Sequence, residues 1–277
     1  MVKRETHGDL WRGFAVFLML GANLAGSSLL APHPTLLRFL FSLPAPIFIG
    51  LAGFYSVRQS AQKLFFRGAI LLFWAVIIDH FGWNIGAFQE WDVLYVLGIG
   101  LWMSIPFNQP WGNPIAILVA LAGAISFGFP HHFHQGWFPP LPWLLIFLLG
   151  RFRNEFPRVA AWGTIGLLGS LYLWAFPPNT RLGYSEWYYP ISVFSLAFAA
   201  GVVGTITAFP RLIPQFSWLK RLGQNSLWVY VGSSFIIAWG SSRWIHGWKF
   251  SLFAFLWLLL VVFFAFFIFP PSKKDHG

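Results

Sequence analysis

Apolar residues fall into ten stretches along this chain, roughly 13–31, 36–57, 67–83, 93–107, 113–129, 140–151, 160–176, 190–208, 225–242 and 250–269. Short polar or basic turns join them. A helix rises about 1.5 Å per residue, so about 17–25 apolar residues cross a hydrocarbon core, and several of these stretches sit at the short end. The pattern predicts an all-α, polytopic membrane helical bundle of about ten transmembrane helices, formed as a single domain over 1–277. The first stretch is different in kind, because Asp9 and Arg12 stand at its head and Asn23 lies inside it. At 100° per residue Asp9, Arg12, Val16, Asn23 and Ser27 share a sector of about 60°, and Asn23 lies about 21 Å along the axis from Asp9. A charge at the head of a span is costly and marks proteins that work on a substrate more often than simple anchors. The face reads as the wall of an internal path.

Composition narrows the picture. Of 277 residues 57% are hydrophobic and 9% charged, against about 25% charged in a soluble domain. Little chain is left for a soluble catalytic module. The absence of Cys excludes disulfides, thiol catalysis and thiolate-bound metals. The net charge of +10 would suit nucleic acid were it clustered, but its distribution follows topology. With the N-terminus inside, fourteen of the 18 basic residues face the cytoplasm: Lys3, Arg4, Arg12, Arg58, Lys63, Arg67, Arg151, Arg153, Arg158, Arg211, Lys220, Arg221, Lys273 and Lys274. Arg38, Arg181, Arg243 and Lys249 fall outside. The positive-inside rule then fixes both termini as cytoplasmic and removes nucleic acid as a partner. Ala22 and Ala25 imitate a signal-peptide cleavage site, but the Asp–Arg pair and nine further spans favour a retained first helix. With no targeting extension ahead of it, a bacterial inner membrane is the expected location.

Candidate chemistry lies at the ends of the spans. His33 sits in Pro32-His33-Pro34, a stiff turn just past the polar face of the first helix. A neutral imidazole there can accept a proton near neutral pH, although an exposed loop histidine is the plainer reading. His131, His132 and His134 have the composition of a metal site, yet neighbouring side chains rarely converge on one ion, and no metal is expected. Asp79 has no basic residue within its own span and needs a partner on another helix, a wet cavity or a proton. Its neighbour His80 points about 100° away. Glu90 and Asp92 flank Trp91 where the next span begins, and together with Asp79 and His80 they are candidates for binding a sugar-like substrate. Interfacial Trp and Tyr are also the ordinary membrane belt. The chain has no GxGxxG, no phosphate-binding lysine loop and no GxSxG.

The order of residues resembles the heparan-alpha-glucosaminide N-acetyltransferase-like family of transmembrane acyltransferases, which is related to the acyltransferase-3 type of membrane acyltransferase. Asp9-Leu10-Trp11-Arg12-Gly13-Phe14-Ala15-Val16-Phe17-Leu18-Met19 followed by Asn23 is similar to the family's opening. Four further segments follow in family order: Pro44–Phe54, Trp91–Gly98, Pro139–Gly150 and Leu222–Tyr230. Two departures stand out. Tyr95 and a position near Ser233 occupy places where relatives commonly carry His.

The resemblance implies acyl transfer, most simply acetyl, from cytoplasmic acetyl-CoA to a sugar or glycolipid near the outer face. The donor is a substrate, and no bound cofactor is expected. The resemblance gives His33 and Asn23 the catalytic parts, with His33 as general base and Asn23 donating to the oxyanion. Arg12, oriented by Asp9, would bind the phosphates of CoA together with Arg67, Arg151 and Arg153. The lipid bilayer, acyl-CoA and the acceptor are the expected partners, with a homo-oligomer left open. A transporter or lipid flippase is the competing class, since a polar path and an intramembrane carboxylate would serve one. A catalytically silent membrane protein of the same fold is the third reading.

Overall fold

The structure is a computed structural model that describes residues 6–28, 35–89, 91–109, 112–126, 138–152, 166, 193–241 and 250–269. Among these the regular structure is helical throughout, with no strand. The helices are α1 (Thr6–Ser28), α2 (Thr35–Phe41), α3 (Pro44–Ser56), α4 (Ala61–Ile77), α5 (Val93–Phe107), α6 (Gly112–Ile125), α7 (Pro140–Phe152), α8 (Val193–Ala208), α9 (Ser217–Gln224), α10 (Ser226–Ser241) and α11 (Phe250–Val262). Two π-helical turns, Ile78–Trp83 and Phe263–Ile268, extend α4 and α11.

Local sequence sets several of these boundaries. Pro44 and Pro140 open α3 and α7, where a missing N–H breaks no helical hydrogen bond. Asp92 caps α5, its Oδ1 accepting from the Val93 N–H at 2.5 Å. The stretch 36–57 is interrupted at Ser42 and Leu43, where Ser42 Oγ donates back to the Arg38 carbonyl at 2.7 Å. Among the described residues two helical stretches, Leu36–Ser56 and Ala61–Trp83, are long and apolar enough to cross a membrane, while α5, α6, α7, α8, α10 and α11 are shorter apolar helices.

The predicted stretches 93–107 and 140–151 correspond to α5 and α7 within a residue. α4 begins at Ala61, ahead of the expected 67, because Lys63 and Arg67 ride on an exposed face while Leu64 and Gly68 are buried. α1 likewise begins at Thr6, taking Asp9 and Arg12 into its first turns. Arg38, read as an outer charge, is buried in α2. Apart from Gly166, the predicted stretch 160–176 lies outside the described residues.

The chain divides into two compact units, one formed by Met1–Pro44, Thr180–Tyr184 and Phe209–Gly277, the other by Ala45–Asn179 and Ser185–Ala208. In the first, α1 is the central helix and packs against α2, α9, α10 and α11. A β-carbon on Gly13 would fall on the Leu219 carbonyl, and one on Gly223 on the Asp9 carbonyl, so α1 and α9 cross with their backbones in contact. Small residues at the crossing let the two backbones approach this closely. Further along α1, Trp257 Nε1 donates to the Phe17 carbonyl at 2.8 Å, and Phe41 and Phe253 pack against the Trp257 ring.

In the second unit α4 pairs along its length with α5, while α7 packs against α5, α6 and α8. Phe147 and Trp143 of α7 are fully buried. Gly53 faces the Phe147 carbonyl and Gly150 the Gly50 carbonyl, which brings α3 and α7 together by the same small-residue device.

Candidate functional site

The first cluster lies at the N-terminal end of α1. Asp9 is 1% exposed and its Oδ1 pairs with Arg12 Nη2 at 2.8 Å, one helical turn on. Arg12 Nε also donates to the Gly8 carbonyl at 3.3 Å, and 29% of its side chain remains exposed. From α9, Gln224 Nε2 donates to the other Asp9 oxygen at 3.4 Å. Trp11 Nε1 donates to the Pro210 carbonyl at 3.1 Å, fastening the segment ahead of α9 to the same end of α1. The carboxylate is thus oriented from two helices, while the guanidinium it holds stays partly open. On the polar face of α1, Asp9 and Val16 are buried and Asn23 is half-buried. That face is packed at its N-terminal end, where an open path wall was expected. His33 lies outside the described residues.

The basic candidates of the second unit make separate contacts. Arg67 is exposed, and its Nη1 donates to Gln59 Oε1 at 2.8 Å. The Asn108 amide reaches the Ser56 and Gln59 carbonyls at 3.4 and 3.5 Å. Arg151 is buried, and its Nη2 donates to the Phe107 carbonyl at 2.9 Å, with the guanidinium also over the Phe107 and Phe152 rings. A cation at the last carbonyls of α5 is favourable there, so Arg151 caps that helix. Arg153 lies outside the described residues.

The other end of α4 carries a second buried carboxylate. Asp79 sits in the π-helical turn, and the Tyr95 hydroxyl donates to its Oδ2 at 2.6 Å. The partner on another helix that Asp79 required is therefore a phenol from the first turn of α5. Asn84 ends the turn at φ 56°, where the Ile85 N–H returns to the Asp79 carbonyl at 2.9 Å. Phe88, also left-handed at φ 64°, sends its N–H to the Tyr95 oxygen at 3.4 Å. The rings of Phe88, Trp91 and Tyr95 pack with centroids 4.8–5.6 Å apart. The Trp91 carbonyl accepts from the Phe138 N–H at 2.9 Å. Left-handed non-glycine residues and π-turns concentrate at functional sites. His80 is exposed with its ring on Phe81, Asp92 is engaged in capping α5, and Glu90 lies outside the described residues.

Tyr95 and Gln224 were not singled out as site residues from the sequence. The signal for Tyr95 was indirect, since Asp79 lacked a cation and a hydroxyl stood in the next helix. Nothing local marked Gln224, which lies 215 residues from the group it binds. Among the described residues no three His, Asp or Glu side chains converge as a metal site, and His131, His132 and His134 lie outside them. Four of the five segments quoted for the resemblance pair within the units. The opening segment meets Leu222–Tyr230 through Asp9, Gly13, Gly223 and Gln224. Pro44–Phe54 meets Pro139–Gly150 through Gly50, Gly53 and Gly150. No protein-family model and no curated protein matches this chain.

Proposed function

We propose that this chain is an integral-membrane acyltransferase that takes an acyl group, most simply acetyl, from cytoplasmic acyl-CoA and passes it to a sugar or glycolipid acceptor. The membrane architecture that goes with it is a bundle of about ten spans with both termini cytoplasmic, in a bacterial inner membrane. One observation carries the reading. The buried Asp9 holds a partly open Arg12 at the head of α1, braced from α9 by Gln224, with the half-buried Asn23 further along the same helix. An oriented guanidinium suits the phosphates of CoA, because its planar fork matches two oxygens at once.

The chemistry rests on the first unit. His33 takes the proton of the acceptor hydroxyl or amine as that atom attacks the thioester carbonyl carbon. The Asn23 amide donates to the oxyanion that develops. Collapse breaks the C–S bond and releases CoA, whose thiolate takes up a proton. Transfer through an acyl-His33 intermediate uses the same groups. Purified protein incubated with labelled acetyl-CoA and candidate glycans tests the proposal through label recovered in the acceptor. No transfer to any acceptor, with intact protein and donor, would overturn it.

The buried Asp79 favours a second reading, a transporter or flippase, because an intramembrane carboxylate hydrogen-bonded across helices is a recurrent feature of translocation paths. Movement of a lipid or sugar across vesicles without acyl transfer would establish that reading instead.

A further inference from the structure

Between α8 and α10 the chain places a surface that none of the chemistry above uses. Phe209, Leu212 and Phe216 are all more than half exposed, although each is large and apolar. Arg211 is exposed beside them, and Lys220 and Arg221 follow on α9. α9 buries Leu219, Leu222 and Gly223 and crosses α1 in backbone contact, which anchors its inner face. Trp218 is half-buried, and its ring stacks on Phe216 with centroids 6.0 Å apart. No acidic residue occurs anywhere from 187 to 274, so these cations have no carboxylate near them in sequence.

A basic helix anchored in the protein by its inner face, led in by a non-helical connection with outward apolar side chains, is built to sit at a membrane interface. Stray topological charges would not need three large apolar side chains held out among them. Lysine and arginine near an anionic leaflet each gain from its negative potential, and the aromatics settle at headgroup depth. We infer that the segment Phe209–Arg221 is a docking surface for anionic phospholipid headgroups. Arg211 and Lys220 supply the attraction, and Phe209, Leu212 and Phe216 dip into the interface. Arg221 contributes less, since its Nε is turned back to the Ser217 carbonyl and its guanidinium lies over the Phe266 ring. The inference rests on the membrane reading above but not on acyl transfer.

The chain contains no Cys, so a single one at the exposed Gln215 takes a fluorophore at one position. The full-length Gln215→Cys protein, donor-labelled, is placed in phosphatidylcholine nanodiscs holding a trace of acceptor-labelled phosphatidylglycerol or acceptor-labelled phosphatidylcholine. Energy transfer should be several-fold stronger to the anionic lipid. Arg211→Gln with Lys220→Gln should remove most of that preference, since each cation near an anionic surface is worth about fivefold, and high salt should act in the same direction. Both side chains are at least partly exposed, so the double variant should fold, and Arg211→Lys with Lys220→Arg should keep the preference. Equal transfer to both lipids, or a double variant that prefers phosphatidylglycerol as the wild type does, overturns the inference alone. A chain that stays soluble without detergent overturns the membrane reading and this inference with it.

Discussion

Among the described residues each of the two units buries one carboxylate, and they satisfy it in opposite ways. In the first, Asp9 is matched by a full positive charge one turn away and braced by an amide from α9. In the second, Asp79 accepts from the neutral hydroxyl of Tyr95 in a turn built from π-helical and left-handed residues. A cation cancels charge and leaves a guanidinium facing outward for other work. A phenol orients a carboxylate without cancelling it and ties the 84–91 connection to α5. The first arrangement suits anion binding, and the second suits holding a segment in place.

The largest expected effect separates the units by activity. General-base catalysis contributes about 10²–10⁴-fold, so His33→Ala should lower acyl transfer by that order with little change in donor binding. Asn23→Ala should also lower turnover, and the two losses should combine less than additively. Tyr95→Phe should leave turnover near the wild-type rate. A turnover collapse in Tyr95→Phe with His33→Ala unimpaired would move the chemistry to the second unit.

Next in size is the ion pair. Arg12→Gln removes the cation beside the buried Asp9, and it should lower the melting temperature in detergent, by less than the loss of a fully buried pair because Arg12 is partly exposed. Asp9→Asn combined with Arg12→Gln should restore stability but not acyl-CoA affinity, which is expected to fall by about 1.5–3 kcal/mol. If the double variant also recovers affinity, Arg12 is a structural charge only.

Tyr95→Phe, silent in activity, should cost about 1–3 kcal/mol of stability, since Asp79 keeps its burial and loses a donor. Hydrogen exchange should rise from Asn84 to Gln89 as the Phe88 N–H loses its acceptor. Protection unchanged there would mean that the ring cluster alone holds the connection. Smallest is Asp92→Ala, expected to cost about 1 kcal/mol through the lost cap of α5. A much larger loss of acceptor affinity than of stability would give Asp92 a part in substrate binding.

Much of the helical pattern was legible in the sequence, because a long apolar run between Gly, Pro and basic turns has few alternatives. α5 and α7 follow directly from such runs. α9 was not legible, since Lys220 and Arg221 break its apolar run and its inner face amounts to little more than Leu219 and Leu222. The starts of α1 and α4 were misplaced for a related reason: charged residues do not end a helix when they pair with each other, as Asp9 and Arg12 do, or ride on an exposed face, as Lys63 and Arg67 do. At the candidate site, the Asp9–Arg12 pair follows from i, i+3 spacing. The Tyr95–Asp79 and Gln224–Asp9 hydrogen bonds depend on which helices lie side by side, which hydrophobic periodicity does not encode.

The crossing of α1 and α9 also constrains how the protein is made. Gly13 and Gly223 meet with no side chain between them, yet 210 positions separate them in the chain. At about 5–20 residues per second of synthesis, α1 waits on the order of 10–40 s after it emerges before α9 exists to cover Asp9. During that interval the N-terminal end of the helix lacks its cover from α9. A ribosome stalled before residue 217 should therefore leave a nascent chain whose first helix is open to quality-control proteases.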